Sequence, residues 1–593
     1  MKSLLRLRPY LWKYRRTLFL GLLAVAGSNV FTVVQPMLVG KAIDSLKNAL
    51  ETAQVDSVGL LTYAGLIVGF SLVAGIFTFF TRQTIIVVSR HIEFDLRNDF
   101  LAHVQRLPLS FFQNTPTGDL MAHATNDIGA VRNTLGPGIM YPTDTVMTFT
   151  MVLALMLYTD WSLTLLALIP LPLVSLAVYS LSRLVYKKFD ERQETYSRLT
   201  TRAQENLSGI RVVKAYVREQ YEIGLFRKLS LEYLQKNLVL ARVQSLMWPL
   251  MFLLVGLSLV ITLYVGGARV IDGSLTIGTL TAFFGYLTML IWPMIAFGWV
   301  MNLLQQGAAS MERLSKIFDT VPEIRNTAAT DTTIRSIKGE IEFRNVSFTH
   351  KDARIPALHD ISLRVEPGMT IAIVGRTGCG KSTLVHLIPR LYDVSEGEVL
   401  IDGVNIKNVP LDVLRSHIGM VPQESFLFSE TIRENIRYGQ SDEGDESVRE
   451  AAEISQISRD IAEFPRQFET MIGERGITLS GGQKQRTAIA RALIRKPAIL
   501  ILDDALSAVD TYTEEAILKR LRSFMADGKG EGRARTNIIV SHRISTIKDA
   551  DLIVVLDTGR IVERGTHEEL VSVGGIYADL HRKQLLEQEL EQM

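Results

Sequence analysis

Five stretches of this chain contain no acidic, basic or histidine side chain and are each long enough to cross a lipid bilayer. They are residues 17–40, 57–81, 161–182, 244–268 and 274–311. A transmembrane helix needs about 20 consecutive, predominantly apolar residues. A sixth stretch, residues 134–159, is interrupted only by Asp144. We therefore predict six membrane-spanning helices, and this prediction excludes a soluble protein.

The distribution of charge orients these helices. Lysine and arginine are concentrated in residues 2–16 and 183–242, whereas the opposite connections, near Asp44, Asp160 and Asp272, are short. Because positively charged segments stay on the cytoplasmic side, we expect both termini there. The net charge of +2 gives no reason to expect a nucleic-acid partner. The single cysteine excludes an intrachain disulfide framework.

A phosphate-binding loop follows a β-branched stretch at residues 370–374 and opens a helical stretch. Its glycines allow backbone N–H groups to close around phosphate oxygens, and the helix N-terminus adds positive potential. Lys381 would reach the β- and γ-phosphates, and the Ser382 hydroxyl would ligate Mg²⁺. The candidate ATP-binding residues of the loop are Gly375, Arg376, Thr377, Gly378, Cys379, Gly380, Lys381, Ser382 and Thr383.

A second nucleotide motif ends in two aspartates. Residues 499–502 are all apolar, which predicts a buried parallel strand. Asp503 follows directly, so the strand would deliver a carboxylate to the same Mg²⁺. Asp504 comes next, where a site that hydrolyses ATP in this way would be expected to carry glutamate. ATP and Mg²⁺ are therefore the predicted cofactors.

Further motifs follow the order found in an ABC transporter half of the exporter type, and the resemblance covers essentially the whole chain. Gln423 resembles the glutamine of the Q-loop, and His542 resembles the switch histidine. Ser507 and Asp510 bound a segment that resembles the D-loop. His350 stands where the family commonly has a tyrosine that stacks on adenine, although it is also consistent with a solvent-facing loop histidine. The motif that resembles the family's intact signature consists of Leu479, Ser480, Gly481, Gly482 and Gln483.

The resemblance implies a fold and a set of roles. The fold is an α-helical membrane domain, with six transmembrane helices and long cytosolic extensions, joined to an α/β P-loop ATPase domain. Asp504, Gln423 and His542 would act in hydrolysis, and Ser382, Gln423 and Asp503 would hold Mg²⁺. The signature of one chain would meet the P-loop of another, so the expected partner is a second ABC half-transporter.

Composition and this resemblance together divide the chain into five regions. Residues 1–16 mix Leu, Tyr and Trp with Arg and Lys, which is typical of an interfacial helix. The other predicted regions are a six-helix transmembrane domain at 17–320, a linker at 321–337, a nucleotide-binding domain at 338–580 and a short helical tail at 581–593.

Asp504 generates a hypothesis about partnership. In the family a glutamate polarises the attacking water, and aspartate withdraws the carboxylate by roughly 1.5 Å, which can cost on the order of 10²-fold in rate. With an intact signature, the chain is most like the degenerate-site subunit of a bacterial heterodimeric multidrug exporter. The partner would then carry glutamate. The alternatives are that a relaxed loop or a bridging water lets Asp504 act as the base, and that the exporter is a homodimer.

The substrate is less constrained by the sequence. Asp144 lies in the third predicted span, where a carboxylate is costly and would attract a cationic compound. Alternatively, it lies near the outer mouth, hydrated or paired with an arginine. Trp292, Phe297 and Trp299 offer aromatic surface to an apolar substrate, or pack against neighbouring helices and lipid.

The expected function is ATP-driven export of hydrophobic or amphipathic compounds by alternating access. A lipid or lipid-conjugate flippase uses the same architecture and is the main alternative, and an ATP-gated channel ranks third. The expected location is a bacterial inner membrane, in contact with its lipids, with the ATPase domain in the cytoplasm.

Overall fold

The computed structural model describes residues 2–52, 57–351, 353–473, 476, 478–527 and 535–592. The chain forms two compact units. The helical unit comprises Met1–Ala102 and Leu120–Asp319, and the sheet unit comprises His103–Asp119 and Thr320–Met593. Residues 103–119, which we expected within the membrane domain, therefore belong to the sheet unit.

Helices account for the regular structure described in the first half of the chain. A 3₁₀ helix at Lys2–Leu7 precedes them, and π-helical turns at Arg82–Ile86 and His123–Asp127 join α3 to α4 and α6 to α7. The helices are α1 (Arg8–Lys13), α2 (Arg15–Thr52), α3 (Ser57–Thr81), α4 (Val87–Val104), α5 (Leu109–Asn114), α6 (Thr117–Ala122), α7 (Ile128–Leu135), α8 (Pro137–Thr159), α9 (Trp161–Leu168), α10 (Pro170–Ser208), α11 (Ile210–Ala215), α12 (Glu219–Ser245), α13 (Met247–Ile271), α14 (Ile277–Met289) and α15 (Ile291–Phe318).

Five helical segments among the described residues are long and apolar enough to cross a membrane. They are Arg15–Glu51, Val58–Val104, Thr117–Thr159, Glu219–Ile271 and Ile277–Phe318. The predicted span at 161–182 is not among them. In that region α9 ends at Leu168 and α10 begins at Pro170. Proline is tolerated at the first position of a helix, where its missing backbone N–H would have no partner within the helix.

Helices α2 and α14 approach each other closely at Asp44 and Gly278. The carboxylate of Asp44 accepts hydrogen bonds from the Gly278 backbone N–H at 2.7 Å and from the Thr276 hydroxyl at 2.6 Å. These bonds satisfy donors at the start of α14, which its own helix cannot pair. A Cβ atom at Gly278 would lie 2.5 Å from the Asp44 carboxyl carbon and would also clash with the Gly40 carbonyl oxygen. Glycine is therefore required for this close approach.

The sheet unit contains two sheets. An antiparallel sheet has the order β2-β1-β4-β5, and a second sheet has the order β10-β9-β3-β8-β7-β6, in which β9, β3, β8, β7 and β6 are parallel neighbours. The strands are β1 (Ile341–Phe348), β2 (Leu358–Val365), β3 (Thr370–Gly375), β4 (Glu396–Ile401), β5 (Val404–Asn405), β6 (Ile418–Val421), β7 (Ile499–Asp503), β8 (Thr536–Val540), β9 (Leu552–Asp557) and β10 (Arg560–Gly565).

Helices cover this second sheet. They are α16 (Lys381–Leu387), α17 (Leu411–Ser416), α18 (Ile432–Arg437), α19 (Asp445–Ile454), α20 (Ser458–Glu463), α21 (Gly481–Leu493), α22 (Thr511–Asp527), α23 (Ile544–Ile547), α24 (His567–Val573) and α25 (Ile576–Gln592), with a 3₁₀ turn at Gln467–Glu469. The described part of the predicted tail, residues 581–592, belongs to α25. The first turn of α25 donates to the Glu563 carboxylate from the backbone N–H groups of Ile576 and Tyr577.

The apolar run before Asp503 is explained by strand β7. Leu500 and Leu502 belong to one buried core, and Ile499 and Ile501 belong to the core on the other face. Successive side chains of a strand point to opposite faces, so a central strand covered on both sides must be continuously apolar. The α-helical membrane domain and the α/β ATPase-type domain predicted from the sequence are both confirmed.

Replacing Gly278 with alanine should destabilise the protein. The added methyl group must displace Asp44 or the α2 backbone, and overpacking of this kind typically costs about 1–3 kcal/mol. Thermal unfolding of the detergent-purified chain should show a lower midpoint for Gly278→Ala. The matched control is Gly267→Ala, since a Cβ atom there meets nothing within 4 Å. Equal midpoints for the two variants would contradict the proposed close approach.

Candidate nucleotide site

The parallel strands bring the predicted nucleotide residues to one edge of the second sheet. The P-loop follows β3, His542 lies two residues after β8, Asp503 ends β7, and Gln423 lies two residues after β6. These four strands are consecutive neighbours in the order β3-β8-β7-β6. Because the carboxyl ends of parallel strands meet at the same edge, residues far apart in the sequence converge there.

The P-loop is shaped by a left-handed backbone at its glycines. Gly380, which directly precedes α16, has φ of 102°, and a Cβ atom there would lie 2.6 Å from the Ala357 carbonyl oxygen. Only glycine adopts this conformation readily. Arg376, Thr377, Gly378 and Cys379 form the loop between β3 and α16, and Thr383 lies in the first turn of α16. Burial raises the pKa of the Cys379 thiol, so this thiol is not an activated nucleophile.

Lys381 folds back across the loop. Its buried ammonium group donates hydrogen bonds to the carbonyl oxygens of Gly375 at 2.8 Å and Arg376 at 2.9 Å. These are neutral acceptors. A phosphate oxygen would be a stronger, charge-assisted partner for the same ammonium group. The lysine is therefore placed at the mouth of a loop that can hold a polyphosphate.

Asp503 and Ser382 form the predicted metal position. The Ser382 hydroxyl donates to Asp503 Oδ1 at 3.2 Å, and Asp503 is only 1% exposed. Among the described residues, no group donates to the buried Oδ2 of Asp503. Burial raises the pKa of this carboxyl group, since the charged form is poorly solvated. An unpaired carboxylate oxygen beside a hydroxyl suits a hard cation such as Mg²⁺.

Asp504 has an unusual backbone conformation. Its φ of 51° lies in the left-handed region, which aspartate tolerates better than most residues. The Asp504 N–H donates to the Val540 carbonyl oxygen at 2.9 Å, which ties it to the neighbouring strand. The side chain is half-buried, and its carboxylate has no hydrogen-bond partner in the described part of the chain. The carboxylate is therefore available to a water molecule, but its side chain is one methylene group shorter than that of glutamate.

The signature and the D-loop lie against each other. Ser480 caps α21 by accepting from the Gln483 N–H at 3.3 Å, while the Gln483 side chain accepts from the Ser480 N–H at 3.0 Å. Leu479 is buried before the cap, and Gly481 and Gly482 form the first turn. Gln485 then accepts from the Ala508 N–H at 2.9 Å, which links α21 to the D-loop.

Both ends of the D-loop are also fixed. The Ser507 hydroxyl accepts from the Gln485 side chain at 3.0 Å. Asp510 is exposed and accepts from the Thr513 N–H at 2.9 Å, a bond that lowers its pKa. Reciprocal capping leaves the start of α21 as a rigid helix end, where backbone N–H groups favour anions.

Arg543 connects the switch loop to the D-loop, a role that the sequence did not reveal. Its guanidinium donates to the carbonyl oxygens of Ser507 and Val509, each at 3.0 Å. It also pairs with Glu514, which is only 2% exposed and accepts from the Thr546 hydroxyl. A buried carboxylate shared between an arginine and a hydroxyl holds the two loops in a fixed relation.

Gln584 holds the switch loop from the other side. Its side-chain amide donates to the His542 carbonyl oxygen and accepts from the Ile544 N–H, the latter at 2.8 Å. The His542 side chain remains exposed. Glutamine is common on polar helix faces, so nothing in the sequence distinguished Gln584. Only its position in α25, opposite the switch loop, identifies it.

His350 lines a cavity of about 670 Å³. Its ring lies edge-on to Phe348, with centroids 4.8 Å apart, and edge-on to Tyr392 at 5.5 Å. The Tyr392 hydroxyl accepts from Gln113 at 2.8 Å. A cavity of this size accommodates a small ligand, and its aromatic wall offers surface to a planar base. The sequence singled out His350 but not Tyr392.

The predicted substrate residues are only partly brought together. Asp144 accepts from the Asn29 side chain at 2.8 Å, and the structure records no ion pair between Asp144 and another described residue. Trp299 packs edge-on against Tyr141, with ring centroids 5.0 Å apart. Trp292 is exposed. The side chain of Phe297 lies outside the described residues.

Two family matches divide the chain as its fold does. Residues 18–294 match the family described as ABC transporter transmembrane region, and residues 358–507 match the family described as ABC transporter.

Two relatives and one solved structure extend the likeness to nearly the whole chain. The chain is 39% identical to the "Probable multidrug resistance ABC transporter ATP-binding/permease protein YheI" of Bacillus subtilis, over 94% of this chain and 93% of that protein. It is 37% identical to the "ATP-dependent lipid A-core flippase" of Syntrophus aciditrophicus, over 87% and 84%. A solved bacterial Atm1-family ABC exporter with ATP bound superposes with a TM-score of 0.77 at 29% identity, covering 96% of this chain and 99% of that one.

Replacing Gln584 with alanine should loosen the switch loop. The variant loses both side-chain bonds to the loop backbone, each worth about 0.5–1.5 kcal/mol. Hydrogen–deuterium exchange at residues 541–544 should become faster in Gln584→Ala. Lys583→Ala is the matched control, because Lys583 is an exposed neighbour on the same helix. Unchanged exchange in Gln584→Ala would show that the loop does not depend on this side chain.

Proposed function

Since the chain belongs to the ABC exporter half-transporters, with a transmembrane region fused to an ATP-binding domain, we propose that it exports hydrophobic or amphipathic compounds as one subunit of a heterodimer. ATP drives transport in this family, so the chain is an ATPase-coupled transporter. The heterodimer proposal rests on two features of the same chain. It has an aspartate at position 504, and its signature is complete and capped at Ser480.

The residues of the nucleotide site have different proposed roles. Lys381 binds the phosphates, the P-loop backbone surrounds them, and His350 offers its ring to the adenine base. Mg²⁺, when bound, neutralises charge that develops on the phosphates. Ser382 and Asp503 would hold it, since Oδ2 of Asp503 is otherwise unpaired within the described residues. Gln423 and His542 follow β6 and β8, the strands on either side of β7, where they would contact the γ-phosphate side.

Asp504 makes this chain's own site slow. The left-handed backbone and the bond to Val540 fix the position of the residue, so the chain cannot easily bring the shorter carboxylate closer to the water. A displacement of about 1 Å can cost on the order of 10²-fold in rate. Binding depends on Lys381, Ser382 and Asp503, which are intact. The site therefore retains ATP better than it hydrolyses it.

In the proposed pair, the signature of this chain belongs to the nucleotide site of the partner. One chain has one P-loop, at residues 375–383, and one signature, at residues 479–483, and each is half of a composite site. The capped helix end at Ser480 would complete a site built on the partner's P-loop. A partner with glutamate would make that site fast. Closure on ATP favours the outward-facing state, and hydrolysis at the fast site resets the pair.

A lipid or lipid-conjugate flippase is the second candidate function. It is favoured by the 37% identity to the lipid A-core flippase of Syntrophus aciditrophicus. Vesicles that contain any co-purified partner should export dyes, and lipid movement without dye efflux would favour the flippase instead.

We place the protein in a bacterial inner membrane, with the ATPase domain in the cytoplasm, because lysine and arginine are concentrated on that side.

The chain purified without a partner should hydrolyse ATP slowly. Two copies would place Asp504 at both sites, so neither site would carry a full-length carboxylate. Adding the partner should restore ATPase activity by roughly 10²-fold. The measurement is phosphate release in lipid nanodiscs, with and without the co-expressed second half-transporter. Vigorous hydrolysis by the isolated chain would support a homodimer in its place.

Replacing Asp504 with glutamate should raise hydrolysis at this chain's P-loop by about 10- to 100-fold, because the carboxylate regains its reach. Single-turnover hydrolysis in the assembled complex is the measurement. Asp504→Asn is the matched control, since it keeps the size and removes the charge. No gain in Asp504→Glu would show that carboxylate reach does not limit the site, and a loss in Asp504→Asn would show that Asp504 acts as a base.

A further inference from the structure

Asn29, Asp144 and Thr148 form a polar cluster, here called the Asn29 cluster, between α2 and α8. Asn29 is only 4% exposed. Its amide nitrogen donates to Asp144 Oδ1 at 2.8 Å and to the Val25 carbonyl oxygen at 3.0 Å, and its amide oxygen accepts from the Thr148 hydroxyl. The Asn29 amide thus bonds to two side chains of α8, the carboxylate of Asp144 and the hydroxyl of Thr148, which lies one turn later.

By residue count, the cluster lies towards the middle of two predicted spans. Along the third predicted span, Asp144 is ~15 Å from the cytoplasmic end at residue 134 and ~22 Å from the outer end at residue 159, at ~1.5 Å per residue. Asn29 lies at the midpoint of residues 17–40. The subsite proposed below takes Asp144 to lie within the membrane, and a position near the outer mouth stays the alternative.

The described part of the chain supplies no positively charged partner to Asp144. Within the described residues, no arginine, lysine or histidine forms an ion pair with Asp144, and no described group donates to its Oδ2. Asn29 fixes the direction of the carboxylate but supplies no positive charge. A carboxylate at this depth is costly unless a cation or a proton joins it. The half-buried side chain leaves Oδ2 open to such a partner.

Aromatic surface lies one helical turn away. Tyr141 precedes Asp144 by three residues on α8, so the two side chains share a helix face. Trp299 of α15 packs edge-on against Tyr141 at 5.0 Å and is 46% exposed. A tryptophan face attracts cations and also binds apolar groups. Next to Asp144, the buried Thr145 hydroxyl has no hydrogen-bond partner in the described part of the chain.

We propose that Asp144, held by the Asn29 cluster and flanked by Tyr141 and Trp299, is a subsite for the positively charged group of an organic cation with an apolar body. The carboxylate pairs with the protonated amine or quaternary ammonium or phosphonium group, and the aromatic pair contacts the apolar body. This inference rests on the proposed export function. It narrows that function to a substrate class and gives Asp144 and Trp299 a shared role.

A purely structural cluster makes a different prediction. If Asn29 and Asp144 only join α2 to α8, weakening their bond would disturb the whole membrane unit and would reduce export of every compound alike. A subsite for charge instead separates charged from neutral substrates. The distinction can therefore be measured without knowing the natural substrate.

The test compares a permanent cation with a neutral compound in vesicles that contain the full complex. Asp144→Asn keeps the shape of the side chain and can still bond to Asn29. It should raise the apparent KM for ethidium or tetraphenylphosphonium by about 10-fold, because a charge-assisted contact is lost. The apparent KM for the neutral dye calcein acetoxymethyl ester should stay unchanged.

Two further variants complete the design. Asp144→Glu retains the charge and should restore cation export in part, and Asp272→Asn removes an aspartate from the end of α13 and should change neither compound. An equal loss for cationic and neutral dyes, or no change in Asp144→Asn, would overturn the subsite. If the unaltered complex exports none of these compounds but moves labelled lipid, then the proposed exporter function fails instead.

Discussion

The buried carboxylate of Asp503 fixes the geometry of the nucleotide site. It ends strand β7, which is covered on both faces and is therefore rigid, and it bonds to Ser382 at the start of α16. This contact joins the first turn after the P-loop to strand β7, which is separated from β3 by β8, at the position proposed for Mg²⁺. Asp504 inherits its position from the same strand end, and its left-handed backbone is tied to β8. In the proposed mechanism, the length of the Asp504 side chain then limits the rate of ATP hydrolysis.

Hydrogen bonds connect the loops around this edge of the sheet to one another. Arg543 joins the switch loop to the D-loop through backbone carbonyls and Glu514, while Gln584 holds the same loop from α25. The D-loop in turn bonds to Gln485 beside the signature. These bonds connect the switch loop, on the expected γ-phosphate side, through the D-loop to the signature of the same chain. In the proposed heterodimer the signature completes the partner's site, and these contacts would then connect the slow site to the fast one.

The sequence predicted those features that follow from composition and local pattern. Apolar runs located the membrane helices and strand β7, and glycine spacing located the P-loop. It missed features that depend on the relative position of distant elements. The boundary between α9 and α10 interrupts a run of uncharged residues that length alone suggested was one helix. Asn29 lies 115 positions from Asp144, and neither residue indicates the other until α2 and α8 pack together.

The left-handed conformation of Asp504 and the bridging role of Gln584 were hidden for the same reason. The φ of Asp504 depends on its bond to Val540 of a neighbouring strand, and the role of Gln584 depends on where α25 passes the switch loop. The predicted catalytic, nucleotide-binding and substrate-binding roles of the site residues all stay predictions.

Retention of ATP at the Asp504 site tests the central claim most directly. Photoreactive azido-ATP, radiolabelled on the α- or the γ-phosphate, would be incubated with the assembled complex under turnover and then cross-linked. The account predicts that this chain keeps both labels while the partner loses the γ-label. Equal loss of the γ-label from both chains would contradict it.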